Sequence, residues 1–137
     1  MRVVEEKPDR SLERTEGLSV WLYLLERPPG PVNLPNVGEP RVGAGMLQFK
    51  AHFLFTPCVG SGNRNAMQIE QDILEIVLRA FESRPVLRGP ELAGGLEGTD
   101  AELRVHLEPL GLEGMAPIWS AAGGAHELSV SFAVDIL

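Results

Sequence analysis

Cysteine is nearly absent from this chain. Cys58 stands alone in 137 residues, which excludes an internal disulfide and a multi-cysteine zinc site. Long apolar runs are missing too. The longest, Leu18 to Leu25, has the length of a strand and falls far short of the roughly 20 residues of a membrane span. The N-terminus, MRVVEEKPDR, has no apolar segment of the kind a secretory signal needs. Positive charge is scarce: 12 basic residues face 19 acidic ones, a net charge of −7. That balance argues against nonspecific nucleic-acid binding and against docking on anionic lipid. Aromatic residues make up 6% of the chain, and Trp21, Tyr23 and Trp119 sit among apolar residues. They suit a core or an interface better than a base-stacking platform. Neither nucleic acid nor membrane is expected as a partner.

What is present is an ordinary globular composition, 44% hydrophobic and 23% charged. A chain of this length fits one domain and buries roughly 68% of the surface its unfolded form exposes, enough to fold without staples. Residues 1–17 read as a charged, mobile leader, carrying Arg2, Glu5, Glu6, Lys7, Asp9, Arg10, Glu13, Arg14 and Glu16. Residues 18–137 read as a single domain.

Leu18 to Leu25 is the first expected strand. Neither of its faces is clearly polar, so it is covered on both sides, by helix or by another subunit. Residues 26–45 contain five prolines and four glycines and cannot be regular. A loop that long inside a compact domain is generally functional or disordered. Met46 to Phe55 alternates cleanly, with Leu47, Phe49, Ala51, Phe53 and Phe55 on one face and Gln48, Lys50 and His52 on the other. Thr56-Pro57 should end it.

A turn over Gly60–Asn65 leads into a helix from Ala66 to Glu82. Asn65 and Gln68 have capping-box spacing. Ile69, Ile73, Ile76, Val77 and Ala80 form its apolar stripe, widened by Leu74 and Phe81. Glu75 and Arg79 form a surface pair, and Pro85 stops the helix. After a loop over Gly89–Thr99, a strand runs from Glu102 to Glu108. A short helix from Leu112 to Ala122 is weakened by Gly114 and Pro117. A last strand spans Glu127 to Ile136, with Leu128, Val130, Phe132, Val134 and Ile136 inward and Ser129, Ser131 and Asp135 outward. The order β, β, α, β, α, β predicts an α+β domain: a mainly antiparallel four-stranded sheet with one long and one short helix packed on one face.

Catalytic signals are weak throughout. Asp100 with Glu102, and Glu5 with Glu6, lie in polar stretches rather than in a cleft that would separate their pKa values. His52 and His106 point outward and become neighbours if their strands pair, but a third metal ligand of obvious spacing is missing; His126 stands apart. Nothing in sequence activates Cys58, and no Gly-x-Ser-x-Gly elbow occurs. The Gly60–Asn65 turn at a helix start is the one alternative site, an anion-binding module. It lacks a P-loop Lys and has Asn65 where a dinucleotide fingerprint has Gly. No catalytic residue, metal or cofactor is expected, and an enzyme is a distant third reading.

Several segments carry a family resemblance. They are Leu18–Glu26 (LSVWLYLLE), His52–Thr56 (HFLFT), Arg84-Pro-Val-Leu87 after the long helix, and the stretch from Glu102 to Ile136. The most specific part is the last, with the Leu112–Trp119 helix followed by the Leu128–Val130 strand start. Together, over residues 18–137, they resemble the N-terminal domain of the cap, or tail-terminator, protein of extracellular contractile injection systems, which are phage-tail-like particles. Relatives usually carry a longer amphipathic helix before the first strand and a further region after the last. The resemblance implies a structural role without catalysis. Six copies would form a ring on the distal end of the inner tube, end polymerisation and anchor the last sheath layer. The partners would be further copies, tube and sheath. The chain would be cytoplasmic during assembly and then part of a particle that can be released. Candidate contact residues are Trp21, Tyr23 and Leu25 on the first strand, Leu34, Val37 and Arg41 on the loop, and Arg84 and Arg88 after the helix.

Overall fold

The computed structural model describes residues 2–5, 7–8, 17–27, 49–60 and 64–137. Leu34, Val37 and Arg41, with nearly all of the 26–45 segment, lie outside the described residues, as does most of the 1–17 leader. The elements are β1 (Arg2–Val4), β2 (Gly17–Glu26), β3 (Phe49–Cys58), α1 (Ala66–Ser83), β4 (Val86–Arg88), β5 (Glu102–Leu107), α2 (Gly111–Ala122) and β6 (Val130–Ile136).

The six strands form one sheet in the order β1-β2-β3-β6-β5-β4. This corrects the expected four-stranded antiparallel sheet. The sheet is mixed, because β1 pairs parallel to β2 while every other pair is antiparallel. Both unexpected strands are three residues long and lie at the sheet edges. That is too short for alternation to show in a sequence, and short edge strands are a common way to blunt a sheet. β1 and β2 run parallel, a pairing that a tight hairpin cannot make.

Strand β3 runs on through Thr56 and Pro57 to Cys58 rather than ending there. Its pairing with β6 stops at Phe55, whereas its pairing with β2 continues to Cys58. Beyond Phe55 the strand has a neighbour on one side only, where the N–H that proline lacks is not missed.

Alternation places Leu18, Val20, Phe55, Val130, Phe132, Val134 and Val105 on one face, and α1 packs against it with Ile73 and Val77. Three aromatic rings lock this layer. Phe132 sits 5.2 Å from Phe55 and 4.9 Å from Phe81, and Phe55 meets Phe81 edge-on at 5.8 Å. The helix face that reaches the sheet is Ile69, Ile73, Val77 and Phe81, four residues apart, with Leu74 buried beside them. Ile76 and Ala80, expected in the stripe, face solvent, and Ile76 is 58% exposed. The expected capping box does not form, since Asn65 makes no side-chain cap bond and Gln68 donates to Asp72 instead. The Glu75–Arg79 pair is present at 2.6 Å.

The opposite face of the sheet is built from small or compact residues. Ser19, Leu54, Thr56, Ser131 and Ala133 are all sealed from solvent. Lys7 contributes cover, its ammonium standing 5.7 Å from the centre of the Trp21 ring. Helix α2 adds no residue to the α1 cluster. It is anchored by Trp119, which is buried and whose indole N–H donates to Ser129 Oγ at 3.1 Å. Gly114 is needed in α2 because a Cβ there would stand 2.7 Å from Leu110 Cβ.

Two stability outcomes are expected. Phe132→Ala, emptying the centre of the aromatic cluster, costs about 3–5 kcal/mol in urea unfolding, whereas Ile76→Ala costs under about 1 kcal/mol. Thr56→Val raises the urea midpoint, because Thr56 Oγ1 is buried with no hydrogen-bond partner among the described residues.

Candidate functional site

Two features stand out on the described surface, and both belong to the far half of β2. The first is an open edge. β1 pairs only with Gly17, Leu18 and Ser19, so among the described residues Val20 to Glu26 have no neighbour on that side. Leu22, Leu24 and Leu25 on this stretch are 47%, 46% and 55% exposed. An apolar strand with unpaired backbone N–H and C=O groups is a template for another chain. Leu25, expected at a contact, is therefore placed on a free edge.

The second feature is a polar cluster on the face away from α1. Strand β2 carries a bulge here: Leu22 pairs with Phe53, Leu24 pairs with His52, and Tyr23 is the extra residue. The bulge sends the Tyr23 ring over β3 to β6, where its hydroxyl lies 2.6 Å from Ser131 Oγ. Both hydroxyls reach Glu108 Oε1, Ser131 Oγ at 2.9 Å and the Tyr23 hydroxyl at 3.4 Å, so either can be the donor between them. His52 is 7% exposed and lies between two carboxylates. Its Nδ1 is 2.7 Å from Glu108 Oε1 and its Nε2 is 2.5 Å from Glu26 Oε1.

The cluster perturbs its own titration. Burial alone would lower the His52 pKa, but the hydrogen bonds and charges of Glu108 and Glu26 outweigh it and raise the value. Burial pushes the Glu108 carboxyl up, and its bonds from His52 and Ser131 overcome this and hold it below the usual carboxylate range. Burial raises the Tyr23 phenol, with Glu108 and Glu26 adding to the rise and Ser131 opposing it.

This arrangement suits support rather than metal binding. Glu26 and Glu108 sit on opposite ring nitrogens, so no single ion reaches all three groups, and no metal-ligating group of three occurs among the described residues. The expected closeness of His52 and His106 is not realised. Both pair with Ala133, so β6 separates them, and His106 instead lies 3.8 Å from Asp135. Of the other candidate residues, Trp21 and Tyr23 are half-buried, Tyr23 reaching into the polar cluster and Trp21 lying under the Lys7 ammonium. Arg84 and Arg88 are exposed by the opposite sheet edge, paired with Glu91 at 2.5 Å and Glu102 at 3.6 Å. The Gly60–Asn65 turn falls largely outside the described residues. Glu26 and Glu108 escaped sequence reasoning because they are 26 and 56 positions from His52. The available signal was a lone carboxylate closing each of two apolar strands.

The fold has a known counterpart. The model of the Pvc16 N-terminal domain matches residues 1–137. The chain belongs to this family. The match agrees with the resemblance carried by the LSVWLYLLE, HFLFT and C-terminal segments. Among solved structures, this Pvc16-type domain is similar to the PVC sheath/tube terminator of an extracellular contractile injection system, determined by electron cryo-microscopy in its extended state. The two share 18% identity at a TM-score of 0.64 over 99% of this chain and 48% of the other. The domain thus spans about half the length of that terminator. No curated protein matches it. No helix among the described residues is long and apolar enough to cross a membrane.

Removing the phenol tests the support role of the cluster. Tyr23→Phe is expected to cost about 1 kcal/mol in urea unfolding, and Ser131→Ala more, up to about 3 kcal/mol, because it takes a donor from the partly buried Glu108 carboxylate.

Proposed function

We propose that this domain is the capping module of a contractile injection particle. Copies close into a ring on the distal end of the inner tube, end its growth and hold the last sheath layer. The observation that carries the reading is the apolar edge of β2, unpaired among the described residues, on a fold shared with a sheath/tube terminator.

The geometry favours a ring for a physical reason. Rings need head-to-tail contacts, in which one surface meets a different surface and the rotation closes. The sheet offers two unlike ends. At one end the far half of β2 presents Leu22, Leu24 and Leu25. At the other, β4 presents a short edge flanked by Arg84 and Arg88. Leu34, Val37 and Arg41, on the proline-rich segment that follows β2, belong to the same proposed contact. A ring seated on a tube copies the tube's last layer on one face and offers no growth surface on the other. Positioning, not bond chemistry, is the whole task, and no residue is assigned a catalytic role.

Six copies of a 14.9 kDa chain would give a particle of about 89 kDa. Light scattering of the purified chain should detect this species, and Leu24→Asp with Leu25→Asp should shift it to monomer without loss of the folded signal. Co-expression with tube and sheath subunits should give tubes of uniform length, and omission of the chain should give tubes of scattered length in electron micrographs. A chain that stays monomeric and leaves the tube-length distribution unchanged ends the proposal.

A further inference from the structure

We propose that His52 is a pH-dependent latch on the exposed end of β2. The inference concerns the single chain and stands whether or not the capping role holds.

The argument begins with proton counting. A neutral imidazole has one N–H and one lone pair. Here both ring nitrogens lie within hydrogen-bond distance of a carboxylate oxygen, and neither carboxylate has a proton to give when ionised. A neutral ring would set one lone pair against a carboxylate lone pair. The imidazolium donates from both nitrogens and satisfies both partners. The geometry is therefore that of a charged histidine.

The two partners join different parts of the fold. Glu26 is the last residue of β2, and Glu108 follows β5 at the turn into α2. A protonated His52, in the central strand β3, ties the free end of β2 to the β5–α2 corner. The Tyr23 bulge is held by the same cluster through Ser131 and Glu108. Among the described residues, the following groups surround the ring. Strand β2 contributes Glu26 and Tyr23, and the corner contributes Glu108. On β3 itself Lys50 lies two residues away, in register with Glu26 and Asp135. Strand β6 contributes Ser131 and, one pair further on, Asp135. On β5, His106 is separated from the ring by Ala133.

The direction of the switch follows. A histidine whose folded pKa lies above its ordinary value of about 6.5 stabilises the fold fully below that value. The contribution is lost as pH rises through the folded pKa. Glu108 is depressed, so its contribution is present above its ordinary value and is lost as pH falls through its lower folded one. The latch is closed in mildly acidic solution and opens on the alkaline side, where Glu26 is released first because it is the more exposed partner.

Nuclear magnetic resonance of the isotope-labelled full chain tests this. At pH 6 both His52 ring nitrogens should carry protons, and the ring should titrate above the ordinary histidine range. Hydrogen-exchange protection across Leu22–Glu26, corrected for intrinsic base catalysis, should fall about tenfold more than that of β6 as pH passes through the His52 midpoint. Glu26→Gln alters a half-exposed group, so the fold should persist; the His52 midpoint should drop and the protection change flatten. His52→Gln should leave the strand end poorly protected at every pH. Should that variant fail to fold, Glu26→Gln alone decides. A singly protonated ring at pH 6, or a strand end whose protection tracks β6 at all pH values, overturns the proposal.

Discussion

Everything in this domain hangs on the pairing of β3 with β6. These two strands form the centre of the sheet, and both of their faces are in use. On one face Phe55 and Phe132 meet α1 through Phe81. On the other, Leu54, Ser131 and Ala133 are sealed, and the small size of Ser131 and Ala133 leaves room for the Tyr23 ring to reach β6. A larger side chain at Ser131 or Ala133 would block that passage and separate the bulge from the Glu108 corner. The hydrophobic layer and the polar cluster therefore rest on one register. A one-residue slip would put Phe132 among the carboxylates and Ser131 against α1.

Much of this was legible from residue patterns. The alternation around Phe49–Phe55 located the central strand, and its apolar residues do face the helix. The long helix was also clear, with Pro85 marking its end. Its stripe was read slightly rotated, because Ile76 is apolar but lies about 100° from Val77 around the helix axis. What could not be read was non-local. Three-residue strands carry no period, so β1 and β4 left no trace. The face bearing His52, Ser131 and Asp135 looked polar and was assigned to solvent. In the fold much of that face is buried, and His52, Tyr23, Ser131 and Glu108 bond to one another there, while Thr56 Oγ1 has no partner among the described residues. Hydrophobic alternation identifies an apolar face but cannot distinguish a wet polar face from a covered one.

The functional surface was partly legible in the same way. The lack of a polar face on Leu18–Leu25 suggested cover from another element or another subunit. The first is seen at the start of the strand: Gly17 to Ser19 lie between β1 and β3, whereas Val20 to Glu26 have β3 as their one strand neighbour among the described residues. The contact candidates divide accordingly. Leu25 is exposed, while Trp21 and Tyr23 are half-buried and Tyr23 bonds into the polar cluster. Sequence could not separate them, because the bulge that turns Tyr23 inward has no local signature.

The place of β6 has a consequence for biosynthesis. It is the domain's final strand, yet it is inserted between β3 and β5. On the ribosome, the sheet cannot close until residues 130–136 have emerged, however early the helices form. Until then β3 lacks one of its two neighbours, and contacts this distant in sequence are slow to find. Nascent copies would thus reach one another with their centres open, making the spacing of translating chains, and any chaperone that shields β3, a condition for orderly production.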